Sequence, residues 1–109
     1  MKYVYWAAGL LYGVAAQAAE VDAVVENFER TSTGAAEVVM KFTNNTNRSV
    51  TYAGANCALL DKDGRALTSV DIVSQNIVPG GRGFGRAYGP QDPRVDKAEC
   101  RLTGVDFAE

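Results

Sequence analysis

The chain has 109 residues, of which 11 are basic and 13 acidic, with no histidine and two cysteines. Without histidine, the commonest general base near neutral pH and the commonest metal ligand are missing, so His-based triads, His-ligated zinc and imidazole copper sites are excluded. The net charge of −2 argues against nucleic acid and anionic membrane surfaces as partners, since both rely on basic residues for affinity.

The N-terminus reads Met1-Lys2, then an uncharged stretch from Tyr3 to Ala16, then Gln17-Ala18-Ala19-Glu20. A positive start, a short apolar stretch and small residues before a cut describe a secretory signal peptide over residues 1–18, cleaved after Ala18. A membrane span needs about 20 apolar residues, and this stretch is shorter and interrupted by glycine. The expectation is a periplasmic or secreted protein with no stable membrane insertion after signal removal. Its mature part, residues 19–109, is one domain of 91 residues with 10 basic and 13 acidic side chains. A domain of that size folds alone with a thin margin.

From Val21 onward no helical period is sustained, and short Val-, Thr-, Phe- and Tyr-rich runs alternate with Gly, Asn and Asp clusters, which is the pattern of an all-β sandwich or barrel. A first strand over Val21 to Arg30 ends at a Thr31-Ser32-Thr33-Gly34 turn. Glu37 to Thr43 is the clearest strand, with Val38, Met40 and Phe42 on a core face. Asn44 to Ser49 forms a polar turn. Val50 to Asp61 is extended, and a bulge near Gly54 is expected to bring Tyr52 and Cys57 onto one face. Asp61-Lys62-Asp63-Gly64 is a tight turn in which Gly64 takes positive φ. Arg65 to Leu67 and Ser69 to Val78 supply one or two strands, ended by Pro79-Gly80-Gly81. Phe84 to Tyr88 is the next strand. After a Gly89 to Pro93 loop, Ala98 to Phe107 is the last, with a second bulge expected at Gly104.

These signals predict an immunoglobulin-like antiparallel β-sandwich of about seven strands with one disulfide, Cys57 to Cys100. Export favours paired thiols, and two cysteines fix the connectivity. Catalytic dithiols usually sit in a Cys-x-x-Cys, which these do not. The Cys-Trp-Cys signature of true immunoglobulin domains is absent, since the one Trp is Trp6.

Cys57-Ala58-Leu59-Leu60-Asp61, followed by Lys62-Asp63-Gly64-Arg65, resembles the strand motif and acidic turn of the FxLYD-type domains of exported bacterial proteins. Leu59 and Asp61 match that motif directly, while Cys57 stands in place of its Phe and Leu60 in place of its Tyr. Val39 to Asn45 resembles the preceding strand that ends in Asn, and Val78-Pro79-Gly80 with Phe84 resembles a later Pro-Gly turn and aromatic strand. The resemblance covers residues 37–88 and implies a β-sandwich module without enzymatic activity.

No catalytic, cofactor-binding or metal-binding set is assigned. Met40 reads as core. Carboxylate chemistry needs two acids facing one cleft, and Glu26, Glu29, Asp61, Asp63, Asp71 and Asp92 are candidates whose spacing brings no two together. Gly80-Gly81-Arg82-Gly83-Phe84-Gly85-Arg86 lacks the Lys-Ser or Lys-Thr of a phosphate loop and offers only two Arg and one Phe where nucleic-acid binding needs an aromatic and basic groove, leaving a hairpin turn. Asp61 to Gly64 has too few oxygen ligands for a calcium loop. Asn44-Asn45-Thr46 and Asn47-Arg48-Ser49 match the glycosylation acceptor pattern, with no modification expected in bacteria. The expectation is therefore a non-enzymatic module that binds another envelope or secreted protein, requires no cofactor and takes no nucleic acid. The alternative is a small carboxylate-based enzyme or ligand carrier. A pilus-like subunit completed by a donated strand is a third reading.

Overall fold

A computed structural model describes residues 20–109, and the signal-peptide reading of residues 1–18 lies outside them. Six strands follow in chain order: β1 (Val21–Arg30), β2 (Ala36–Asn44), β3 (Val50–Leu60), β4 (Ala66–Ile77), β5 (Arg82–Tyr88) and β6 (Lys97–Phe107). They form two antiparallel three-stranded sheets, β1-β2-β5 and β4-β3-β6, that fit a β-sandwich. The count is six where about seven were expected, because the segments around Leu67 and Ser69 are one strand. A register shift leaves Leu67 as an extra residue on β4 opposite Leu59/Leu60 of β3, which bends the strand without ending it.

Alternation of apolar side chains builds the core. Strand β2 sends Ala36, Val38, Met40 and Phe42 inward, all fully buried, toward Ala53, Ala55, Cys57 and Leu59 of β3. The disulfide joins Cys57 of β3 to Cys100 of β6, directly opposite neighbours within one sheet. Its half-cystine Cys57 also lies 3.6 Å, sulfur to sulfur, from Met40 of the facing sheet. Met40 is core, as its parity requires.

Bulges correct the phase where the sequence alternation breaks. On β3 the extra residue is Thr51, not a residue at Gly54. It turns Val50 inward, while Tyr52 stays on the outer face and lies over Gly54, where an added Cβ would be 2.5 Å from the Tyr52 hydroxyl oxygen. Tyr52 and Cys57 therefore do not share a face. On β6 the extra residue is Thr103, beside Gly104, and past it Val105 and Phe107 pack against the core. On β1 the extra residue is Glu26, which brings Phe28 against the core.

The β1–β2 and β3–β4 hairpins use the same turn. In the first, Gly34 N donates to Thr31 O (3.0 Å) and Thr31 N to Ala35 O (2.8 Å). In the second, Gly64 N donates to Asp61 O (3.0 Å) and Asp61 N to Arg65 O (2.9 Å). Both glycines have φ near +90°, the conformation that closes a type I turn into a hairpin. The turn's first side chain accepts in both: Thr31 Oγ1 from Ala35 N, and Asp61 Oδ1 from Asp63 N and Arg65 N.

Candidate functional site

The carboxylates are the natural place to look for chemistry, and each candidate is engaged within its own neighbourhood. Glu26 pairs with Lys41 at 3.8 Å, and Glu29 accepts from Asn27 at 2.6 Å. Asp71 accepts from Asn56 across the β3–β4 ladder at 2.9 Å. Asp61 Oδ2 meets Arg65 Nε at 3.2 Å, and Asp63 lies 3.7 Å from the same guanidinium. Asp92 holds Arg94 through both of its oxygens.

Asp61, Asp63 and the 89–96 loop border an open cleft of about 380 Å³, lined also by Arg65, Arg94 and Asp96. The acids of the β3–β4 turn there are held by the Arg65 side chain and, for Asp61, by the backbone amides of Asp63 and Arg65. The Arg94 hydrogen bonds lower the Asp92 pKa to about 2, and the Arg65 backbone amide, ahead of the Asp63 amide and the Arg65 side chain, lowers that of Asp61. A general acid near neutral pH needs the opposite shift. Among the described residues no cluster of acids or cysteines could hold a metal ion. Each Asp–Arg pair lies within one segment, Asp61 and Asp63 with Arg65 in the β3–β4 turn and Asp92 with Arg94 in the β5–β6 connection, and the bond between the two segments is the one from Asp96 N to Leu60 O.

The glycine-rich run has a different outcome from the hairpin turn expected of it. Only its start is a turn, with Gly81 N donating to Val78 O at 2.9 Å. From Arg82 the chain is strand β5, whose inward positions are Gly83, Gly85 and Ala87. A Cβ at Gly83 would lie 2.3 Å from Ser74 Oγ, and one at Gly85 would lie 2.6 Å from both Ile72 Cγ2 and Val73 O. The glycines therefore let β5 pass directly over β4, closing that side of the sandwich.

The outward positions of β5 are Arg82, Phe84, Arg86 and Tyr88. Phe84 is 58% exposed and Tyr88 55%. Arg86 meets Glu37 of β2 at 3.4 Å, and its pKa is raised by the Tyr88 hydroxyl first and Glu37 second. Arg82 has no acidic partner among the described residues. The result is a ladder of guanidinium and aromatic groups on an edge strand. The expected strand Phe84 to Tyr88 holds Arg86 and begins two residues earlier than expected, at Arg82; the ladder itself is signalled by the period of two, with glycine or alanine on one parity and large groups on the other.

The face that lies across the molecule offers little comparable. Sheet β4-β3-β6 presents Asp71, Asn56 and Arg101 in one row and Gln75, Tyr52 and Asp106 in another, a polar surface on which Asn56 and Asp71 bond each other. Asn44, expected in a polar turn, is instead fully buried at the end of β2. Its amide nitrogen donates to Arg48 O, Ile77 O and Val78 O, and its oxygen accepts from Thr46 N and Thr46 Oγ1. This acceptor position is occupied by the fold, whereas Asn47 is exposed.

No protein-family model matches the sequence, and no curated protein does. A solved structure is similar in fold. IrmA from Escherichia coli, known from its structural characterization, superposes with a TM-score of 0.61 over 82% of this chain and 77% of its own, at 8% sequence identity. The likeness is one of fold. Together with the buried Cys57–Cys100 disulfide, which points to a location outside the cytoplasm, it describes a disulfide-bearing β-sandwich. No helix among the described residues is long and apolar enough to cross a membrane.

Proposed function

We propose that the chain is an exported, periplasmic or secreted, non-enzymatic β-sandwich that binds another envelope or secreted protein through the β5 side of its first sheet. The observation that carries this reading is the exposed Arg82-Phe84-Arg86-Tyr88 ladder. Aromatic and arginine side chains are enriched where proteins meet, and Phe84 and Tyr88 are two of the large hydrophobic groups the surface leaves most open. Engagement of the candidate carboxylates by neighbouring bases and amides weighs against the carboxylate-enzyme alternative. The resemblance to FxLYD-type domains supports the same reading: Cys57 and Leu59 alternate inward and Asp61 organises the following turn.

Photo-crosslinking tests it. A benzophenone amino acid at Tyr88 is expected to give a discrete adduct in a native envelope or secreted fraction, while the same group at Tyr52, on the opposite face, gives none. Equal labelling from both positions, or none from either, would remove the reading.

A further inference from the structure

The ladder side chains share their residues with an open backbone edge. Strand β5 pairs with β2 in register from Thr43↔Arg82 to Glu37↔Tyr88. The bonds at its two ends, Asn44 N to Gly81 O and Gly89 N to Ala36 O, set the phase of the ladder. Antiparallel pairing alternates bonded and non-bonded pairs, so Gly83, Gly85 and Ala87 spend their peptide groups on β2. The N–H and C=O groups of Arg82, Phe84, Arg86 and Tyr88 point the other way. Among the described residues no backbone group bonds to them. An edge of this kind is a template for a further strand.

We propose that β5 takes up an extended acidic segment of a partner protein as an added strand, with main-chain bonds to Arg82, Phe84, Arg86 and Tyr88. This deepens the protein-binding reading and rests on it. On an added strand, every second residue lies beside the ladder. The segment that fits carries a carboxylate, then an apolar or aromatic residue, then a carboxylate and again an aromatic residue, each two positions on. Carboxylates would meet Arg82 and Arg86, and rings would lie against Phe84 and Tyr88. Charge favours this class: Arg82 has no acidic partner among the described residues, and Arg86, which meets Glu37 through Nε, adds a second guanidinium to the strip. A second copy offers a poorer strand, because on β1 Asp22 accepts from Asn45, Glu26 pairs with Lys41, and the bulge at Glu26 breaks the two-residue repeat.

The probe is an acetylated heptapeptide with Glu at its first and fifth positions, Phe at its third and seventh, and Thr between. It is titrated into the oxidised, isotope-labelled chain. The amides of Arg82, Phe84, Arg86 and Tyr88 are expected to shift and to gain protection from hydrogen exchange, while Gly83, Gly85 and Ala87, already bonded, gain none. A peptide with Lys in place of Glu binds roughly tenfold more weakly, and the double variant Arg82→Glu, Arg86→Glu reverses that preference. Retention of the remaining amide spectrum shows that the variant is folded; if it is not, Arg82→Gln alone is expected to narrow the preference. Protection at another edge, shifts that follow protein concentration without peptide, or indifference to peptide charge overturns the proposal. So does a sulfated oligosaccharide that moves only the arginine side chains and competes with the peptide. Failure here with a Tyr88 crosslink intact rejects the acidic strand and leaves the binding reading standing, whereas loss of the crosslink rejects that reading itself.

Discussion

Asn44 shows how one side chain can fasten two elements. It is fully buried, yet all its hydrogen-bonding capacity is used: its amide spans from the 44–48 turn to the end of β4, and its oxygen holds Thr46. Asn44→Ala leaves Arg48 O, Ile77 O and Thr46 N without this partner, and buried groups so stranded cost about 1–3 kcal/mol each when they cannot reach water. A loss of about 2–3 kcal/mol is expected, read from the urea midpoint at unchanged slope. Asn47→Ala, further along the same turn and exposed, should change stability by less than about 0.5 kcal/mol. The sequence marked Asn44 only as a turn residue. Its burial follows from Ile77 reaching the same end of the sandwich, a long-range contact that local pattern does not encode.

At the scale of elements, much was legible where apolar alternation is unbroken. Strand β2 lies within a residue of its expected limits at each end, the turn expected at Gly34 is present, and Gly64 carries the positive φ expected of it. Alternation fails at bulges, and the sequence located these unevenly. Thr103 lies beside the expected Gly104, but the break on β3 falls at Thr51 and not at Gly54, since Gly54 serves to admit the Tyr52 ring. Strand β4 shifts phase again at Asn76, whose φ of 58° returns Ile77 to the core.

Strand β5 is the clearest case of an element whose two faces obey different constraints. Gly85→Val would drive side-chain atoms into Ile72 and the Val73 carbonyl, a backbone contact that cannot rotate away. Overpacking of that kind costs about 1–3 kcal/mol or more. Phe84→Ala, one residue earlier on the outer face, is expected to alter stability by no more than about 0.5 kcal/mol, because its side chain is mostly exposed. Paired urea melts of the two variants check this. Comparable losses at both positions would show that Phe84 packs against the fold.

For the whole molecule, the disulfide and the Asp–Arg pairs act on different states. Cys57 and Cys100 close a loop with a sequence separation of 43, for which the chain-entropy model gives about 4 kcal/mol of stabilisation through the unfolded chain. That is a large part of the 5–15 kcal/mol typical of a domain. The double variant Cys57→Ala, Cys100→Ala should therefore unfold at a markedly lower urea concentration than the oxidised protein. The bond lies within one sheet, so the sheets themselves stay together by packing of Met40, Phe42 and Leu59.

The Asp–Arg pairs of the β3–β4 turn and of the 89–96 loop give the molecule an acid-sensitive end. Arg94 hydrogen bonds hold Asp92 at about 2, and the Arg65 amide lowers Asp61, whereas in the unfolded chain an aspartate titrates near 3.9. As pH falls from about 4 toward about 2, the unfolded chain takes up these protons before the folded one does, so the stabilisation present above about pH 4 is lost across that interval. Urea midpoints of the wild type are expected to fall modestly there, since both carboxylates are solvent-screened. Arg94→Ala removes the bonds that depress Asp92, so its midpoint should be lower at pH 6 and decline less on acidification, the two curves converging near pH 2. Parallel curves would assign the acid sensitivity to other carboxylates. Because Arg94 lies in the loop after β5 and takes no part in that strand's pairing, the same variant should keep peptide binding by β5 unchanged at pH 6, separating the fold's acid-sensitive end from its binding edge.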